Sequence, residues 1–227
     1  MIVQAGNSQT PENTEALEEL CSTYWYPLYA YVRRCGESPE QSKDLTQEFF
    51  YELLKKNLVG TADSTRGKFR WFLLASFKHF LAHQWQKGRA QKRGGHLAKI
   101  ELDALQAEER YLHEPTDDLS PDVIYEQRWA HILIERAHQT LQQQYLGASK
   151  ENRFSVLKQF LPGQEPELSY LEVAELLEMS ESSVKVEIHR LRKNFGLALR
   201  TEVAKTVALS SQIDSELRHL IDALYRK

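Results

Sequence analysis

Apolar residues recur three and four positions apart along most of this chain, and no run alternates with the period of two that marks a strand. From Thr14 to Arg34 the series is Leu17, Leu20, Tyr24, Leu28 and Tyr31; the next stretch shows Leu45, Phe49, Leu53 and Leu54. Such spacing places apolar groups on one stripe of a helix and cannot give a sheet a dry face. Turn-formers are scarce, with 10 Gly and 7 Pro in 227 residues, too few for the frequent reversals of a sandwich. The expected fold is all-α. A hydrophobic fraction of 41% excludes wholesale disorder, and 227 residues fill one large domain or two small ones.

Local signals set the expected breaks. Residues 1–11 read as a loose tail, and Pro27 is expected to kink or divide the first helix. Cys35-Gly36-Glu37-Ser38-Pro39 interrupts the chain; Ser38 then caps a helix with Pro39 at its first position, running to about Lys56. Asn57 to Gly67 reads as a polar loop, and Lys68 to about Lys92 as one long helix closed by Gly94-Gly95. Residues 101–126, with Pro115 and Pro121, have weak periodicity and read as a linker. A second helical region starts near Asp122 and is broken at Gly147 and at Leu161-Pro162-Gly163.

The chain-wide charge of −3 conceals a strong pattern. Residues 66–100 carry 9 basic side chains and no acidic one, whereas residues 101–126 carry 9 acidic side chains and the single base Arg110. A carboxylate-free stretch of this length is a local positive field, the footprint of a nucleic-acid partner. Its aromatics Phe69, Trp71, Phe72, Phe77, Phe80 and Trp85 are interleaved with cations. Core packing needs only one face, which Leu73, Leu74, Phe77 and Leu81 supply; rings beside cations are what single-stranded nucleic acid stacks on.

Downstream, Ser169 is placed to cap a helix with Leu171, Val173, Ala174 and Leu177 inward. Met179 is the apolar residue of a turn, and Ser180 caps a second helix that buries Val184, Ile188 and Leu191. Ser182, Ser183, Lys185, Val186, Glu187, His189, Arg190 and Lys193 are left exposed. This is a helix-turn-helix pattern, although Glu178 stands where the turn often has glycine. The alternative is an ordinary helical hairpin.

Other chemistries find little support. His79 and His83 have helical metal-ligand spacing, but Phe80 follows the first and no carboxylate lies nearby, so no metal is expected. No nucleophile motif, phosphate-cradling glycine loop or paired catalytic carboxylates are present; the chain does not read as an enzyme, and no cofactor is implied. Cys21 and Cys35 fit no disulfide framework and read as reduced cytoplasmic thiols. The longest apolar run, Trp71 to Phe77, falls far short of the ~20 residues of a membrane span, and the N-terminus does not read as a signal peptide.

Together these parts resemble the sigma-70 family of bacterial transcription initiation factors, of the extracytoplasmic-function (ECF) type. Asp44-Leu45-Thr46-Gln47-Glu48-Phe49-Phe50 is similar to the family's region 2.2 signature, and Gly67-Lys68-Phe69-Arg70-Trp71-Phe72-Leu73 with the basic helix to regions 2.3 and 2.4. Ser183-Val184-Lys185 and His189-Arg190-Leu191-Arg192 stand where region 4.2 has Thr-Val-Lys and His-Arg-Ala-Arg. Thr201-Glu202-Val203-Ala204 and Glu216-Leu217-Arg218-His219-Leu220 are similar to a subgroup with a C-terminal extension.

The resemblance implies a region 2-like domain over 12–98, an acidic linker over 99–121, a region 4-like domain over 122–205 and a C-terminal amphipathic helix over 206–227. It implies core RNA polymerase, through its β′ and β subunits, as partner, with Asp44, Gln47 and Glu48 on the surface that docks on the β′ coiled coil. The loop from Asp63 to Lys68 would help hold a flipped base of the −10 element. Arg66, Lys68, Phe69, Arg70, Trp71, Lys78, His79, Gln84, Lys87 and Arg89 would engage that melted strand. The −35 duplex would be read or clamped by the exposed residues from Ser182 to Lys193 named above. A basic residue is common in the family where Glu187 stands; glutamate there either accepts from a cytosine N4 or is solvated. Residues 139–168 are longer and more charged than the family's usual approach to region 4.

The acidic span would thread towards the RNA path as a nucleic-acid mimic, or act as a solvated spacer. The last helix, with Ile213, Leu217, Leu220, Ile221 and Leu224, would pack on its own domain or offer a face to a regulator such as an anti-sigma factor. The competing function is a helix-turn-helix regulator that never joins polymerase.

Overall fold

A computed structural model describes residues 11–55, 68–88, 104–112, 119–147 and 150–226, the side chains of 11–17, 88, 104 and 105 excepted. Among the described residues there are nine α-helices, two short 3₁₀ turns and no strand: α1 (Pro11–Arg34), α2 (Pro39–Lys55), α3 (Phe69–Gly88), α4 (Ala104–Leu112), α5 (Pro121–Gly147), α6 (Glu151–Leu157), α7 (Tyr170–Leu176), α8 (Glu181–Lys205) and α9 (Ile213–Tyr225). The expected loop and linker positions at 57–67, 94–95, 99–103 and 113–118 lie outside the described residues. Packing gathers the chain into two units, Met1–Ile132 with Ala204–Lys227, and Leu133–Val203.

In the first unit α1 is buried nearly all round. Tyr24, Trp25, Tyr26, Leu28, Tyr29, Ala30, Tyr31 and Val32 are all inside. This explains why α1 runs unbroken through Pro27. A proline in a helix interior forfeits one hydrogen bond and clashes, at about 3 kcal/mol, but burying several aromatic side chains contributes more. As expected, Ser38 caps α2: its Oγ accepts from the Gln41 amide at 3.2 Å. Leu45, Phe49, Phe50 and Leu53 of α2 are buried, and Phe77 of α3 takes two edge-on rings, Phe49 of α2 at 4.8 Å and Tyr31 of α1 at 6.1 Å. Beside this core the Cys21 thiol is buried, and burial, with a smaller push from the Glu18 charge, raises its pKa to about 12.

The acidic span, read from sequence as a linker, contains a helix. Within it α4 lies on α1, with Ala107 buried. Arg33 grips Glu108 with a two-pronged contact, Nε at 3.0 Å and Nη2 at 2.9 Å, while the Tyr29 hydroxyl donates to the same carboxylate. Arg110 lies 4.5 Å over the Tyr26 ring, and Arg34 Nε donates to the Leu119 carbonyl at 2.7 Å. Weak apolar periodicity hid this helix because its docking is largely polar.

The second unit has its own core. Ala137 and Leu141 of α5, Phe154 and Leu157 of α6, Phe160 and Leu161, Val173 and Ala174 of α7, and Val184, Ile188, Leu191, Phe195 and Ala198 of α8 form one apolar cluster. The breaks fall at Gly147 and at Leu161-Pro162-Gly163 as expected; Gly163 takes φ +83°, a left-handed backbone that favours glycine.

Candidate nucleic-acid interfaces

The first candidate surface is built on α2 and α3. Asp44 is exposed on α2, while Gln47 and Glu48 are half-buried, and Glu48 accepts from Gln84 Nε2 of α3 at 2.7 Å. Along α3 the residues Leu73, Leu74, Phe77 and Leu81 face the core, and Trp71, Ala75, Lys78, His79, Ala82 and His83 form the exposed stripe at helical spacing. Four of the six aromatics turn inward: Phe69 and Phe77 are buried, and Phe72 and Phe80 half-buried. Trp71 and Trp85 remain exposed, and Trp85 Nε1 donates to Glu37 at 2.8 Å. Lys87 and His83 edge a cavity of about 420 Å³ between α2 and α3, floored by Phe49, Leu53 and Phe80. Arg66 and Arg89 lie outside the described residues.

Two cations of α3, and Lys68 just before it, are already matched by carboxylates from elsewhere in the chain. Lys78 Nζ pairs with Asp122 at the start of α5. Arg70, only 1% exposed, pairs through Nη1 with Glu216 of α9, and Lys68 Nζ lies 2.6 Å from the other oxygen of that carboxylate. Arg70 also lies between the Trp71 and Trp129 rings, 5.0 and 4.9 Å from their centres. Burial lowers the pKa of both cations, and Arg70 and Arg218 add repulsion at Lys68. On α9, His219 meets Trp71 edge-on at 5.7 Å and stands 3.3 Å from Glu126, which also pairs with Arg226 at 2.6 Å. Glu126 and Trp129 were not among the residues singled out from sequence, and Glu216 and His219 stood there only in the C-terminal motif, without a role at α3. A glutamate at helical spacing from Ile213 and Leu220, on the apolar side of an amphipathic helix, was the signal available.

Packing also corrects the expected face of α9. Glu216, Leu220 and Ala223 go inward, whereas Ile213, Leu217 and Leu224 are half-buried and Ile221 is exposed. The ion pair sets the rotation of the helix, not its most apolar stripe.

The second candidate surface is the α7–α8 pair. Ser169 and Glu172 form a reciprocal cap: Ser169 Oγ accepts from the Glu172 amide at 3.3 Å, and the Glu172 carboxylate accepts from Ser169 N and Oγ at 2.7 Å each. Those bonds, the hydroxyl's first, hold the Glu172 carboxyl below its ordinary pKa. Glu178 takes φ +52°, the left-handed conformation that glycine often supplies, and the Met179 amide closes back on the Ala174 carbonyl at 2.9 Å. The turn is thus a tight helix stop despite its glutamate. Ser180 Oγ accepts from the Ser183 amide at 3.2 Å and opens α8. Leu171 departs from expectation: it is 59% exposed, because the short α7 buries only Val173 and Ala174.

On α8, Ser182, Lys185, Val186, His189, Arg190 and Lys193 are exposed, and Ser183 and Glu187 half-buried. Their neighbours are local: Lys185 pairs with Glu181 at 2.7 Å, and Arg190 with Glu187 at 3.3 Å. The Glu181 hydrogen bond, then its charge, raises the Lys185 pKa. The outer face of the second helix therefore presents cations, a hydroxyl, an imidazole and one apolar side chain to solvent, the repertoire of a base-reading helix.

No helix among the described residues is long and apolar enough to cross a membrane. No curated protein and no solved structure matches the chain. A family model described as ECF sigma factor matches residues 13–201, a span that contains α2, α3, α7 and all but the last four residues of α8 in a single run. The chain belongs to the ECF sigma factor family, the RNA polymerase sigma factors of transcription initiation.

Proposed function

We propose that the chain binds core RNA polymerase through the α2 surface of Asp44, Gln47 and Glu48 and directs it to promoters with a −35 and a −10 element. In this reading Lys185, Val186, Glu187, His189, Arg190 and Lys193, with Ser182 and Ser183 at the helix start, contact the −35 duplex. The stripe of α3 takes the melted −10 strand: Trp71 offers a ring for stacking, Lys78, His79 and Lys87 track phosphates, and Lys68 and Arg70 join them at the start of the helix. Phe69 supports that start from the core, packed on Tyr24 at 5.7 Å. The division by role follows 12–98, 99–121, 122–205 and 206–227, whereas the division by packing follows shared cores. Catalysis is left to the polymerase.

The observation that carries the reading is the face of α8: a capped helix after a tight turn, its cations on the solvent side. The exposed acid of α2 favours joining polymerase over acting alone, since a free DNA binder has no use for it. Co-purification with core polymerase, followed by transcription in vitro from a selected promoter library, tests this. Core binding and factor-dependent transcripts are expected. Duplex binding without core binding would leave the stand-alone regulator in its place. Asp44→Ala combined with Gln47→Ala is expected to weaken core binding and leave duplex binding unchanged.

A further inference from the structure

Three residues assigned above to the −10 strand are held by one helix. Glu216 of α9 places its carboxylate between Arg70 and Lys68, the Ser215 carbonyl accepts from Lys68 Nζ at 3.3 Å, and His219 covers Trp71. The manner of docking is unusual for an amphipathic helix. A helix held by burial alone would turn Ile213, Leu217, Ile221 and Leu224 inward with Leu220; α9 buries Leu220 and Ala223, leaves the other four half-buried or exposed, and buries Glu216 with them. A buried ion pair adds little net stability, because desolvation opposes the attraction, but it does select one register. The ion pair therefore fixes how α9 docks more than how tightly. Arg70 Nε and Nη2 are buried with no hydrogen-bond partner, so its fork has donors left over that a phosphate group, with more acceptor oxygens, would engage.

Resting on the promoter reading, we propose that α9 is a built-in competitor for single-stranded nucleic acid: Glu216 occupies the place of a phosphate between Lys68 and Arg70, and the strand binds fully only when α9 leaves. Closed and open states then share one population, and the apparent affinity for the strand is reduced by the fraction that is open. Neutralising Glu216 raises that fraction without touching a group that contacts the strand.

The test uses the full chain and a fluorescein-labelled, mixed-sequence single-stranded DNA oligonucleotide in low salt. Hydrogen exchange is read over residues 213–225 with and without saturating oligonucleotide, and affinity by anisotropy for the unaltered chain, Glu216→Gln and Glu165→Gln. Glu165 is an exposed acid of the second unit, so its variant controls for the loss of one negative charge. Expected are loss of protection in α9 on binding, while α1 and α2 stay protected, and about tenfold tighter binding by Glu216→Gln. Equal tightening by Glu165→Gln overturns the proposal, as does an unchanged affinity in a folded Glu216→Gln. If that variant does not fold, exchange on the unaltered chain decides. Binding with α9 still fully protected overturns the competitor alone; no binding by any chain overturns it together with the −10 assignment.

Discussion

The two basic helices, α3 and α8, carry similar charge and present it in opposite ways. At α3, Arg70 and Lys78, with Lys68 just before the helix, meet carboxylates more than forty positions away, at Asp122 and Glu216. On α8, Lys185 and Arg190 meet carboxylates three or four positions away on their own helix, in solvent. Pairs of the second kind contribute little and are readily exchanged for a phosphate. Those of the first kind are tied to tertiary structure, and Arg70 cannot change partner unless α9 moves. On the proposed reading, one surface is poised to bind, while the other has first to be opened. That order suits a factor that meets duplex DNA before it holds a melted strand.

The largest effect is expected at Arg70. Arg70→Ala leaves Glu216 buried without its nearest partner and is expected to destabilise the first unit by about 3–5 kcal/mol in urea denaturation. A loss under about 1 kcal/mol, the range of an exposed pair, would make α3 and α8 alike. The mirror experiment is Arg190→Ala on α8. It is expected to cost about 1–3 kcal/mol of duplex affinity, with the salt slope reduced by about one, and to leave the melting temperature unchanged. Equal unfolding midpoints for the two variants would remove the distinction.

Smaller changes sharpen the second surface. Ser169→Ala removes the cap of α7 and is expected to lower stability by about 1 kcal/mol in thermal melts. The same cap predicts a pH dependence. Glu172 has a folded pKa below its ordinary 4.5, so its contribution is complete above that value and is lost as pH falls through the folded pKa. Glu172→Gln should flatten this part of the acid-stability profile of the second unit. Smallest is Glu178→Gly: relief of the left-handed strain outweighs the entropy glycine adds to the unfolded chain, for a net gain of about 0.5 kcal/mol. A loss of stability there would mean that the glutamate side chain helps to hold the turn.

The second surface was largely legible in the sequence. Ser169, Ser180, Val184, Ile188 and Leu191 act through neighbours a few positions away, so spacing alone placed the caps, the buried stripe and the exposed cations. Leu171 was misjudged because a seven-residue helix can turn only two apolar residues inward. The first surface was legible in its charge and not in its pairing. Residues 66–100 lack carboxylates in sequence, yet in space α3 does not lack them, because Asp122 and Glu216 fold back onto it.

By itself, then, the sequence determined the helical class, the capped α7–α8 turn and the positive stretch that became α3, since periodicity, capping and net charge are properties of neighbours along the chain. Only the tertiary structure decided that α1 survives Pro27, that an acidic helix grips Arg33, and that α9 faces inward with Glu216. Each of these is an exchange between desolvation and contact with residues far away in sequence, and no local pattern contains the partner.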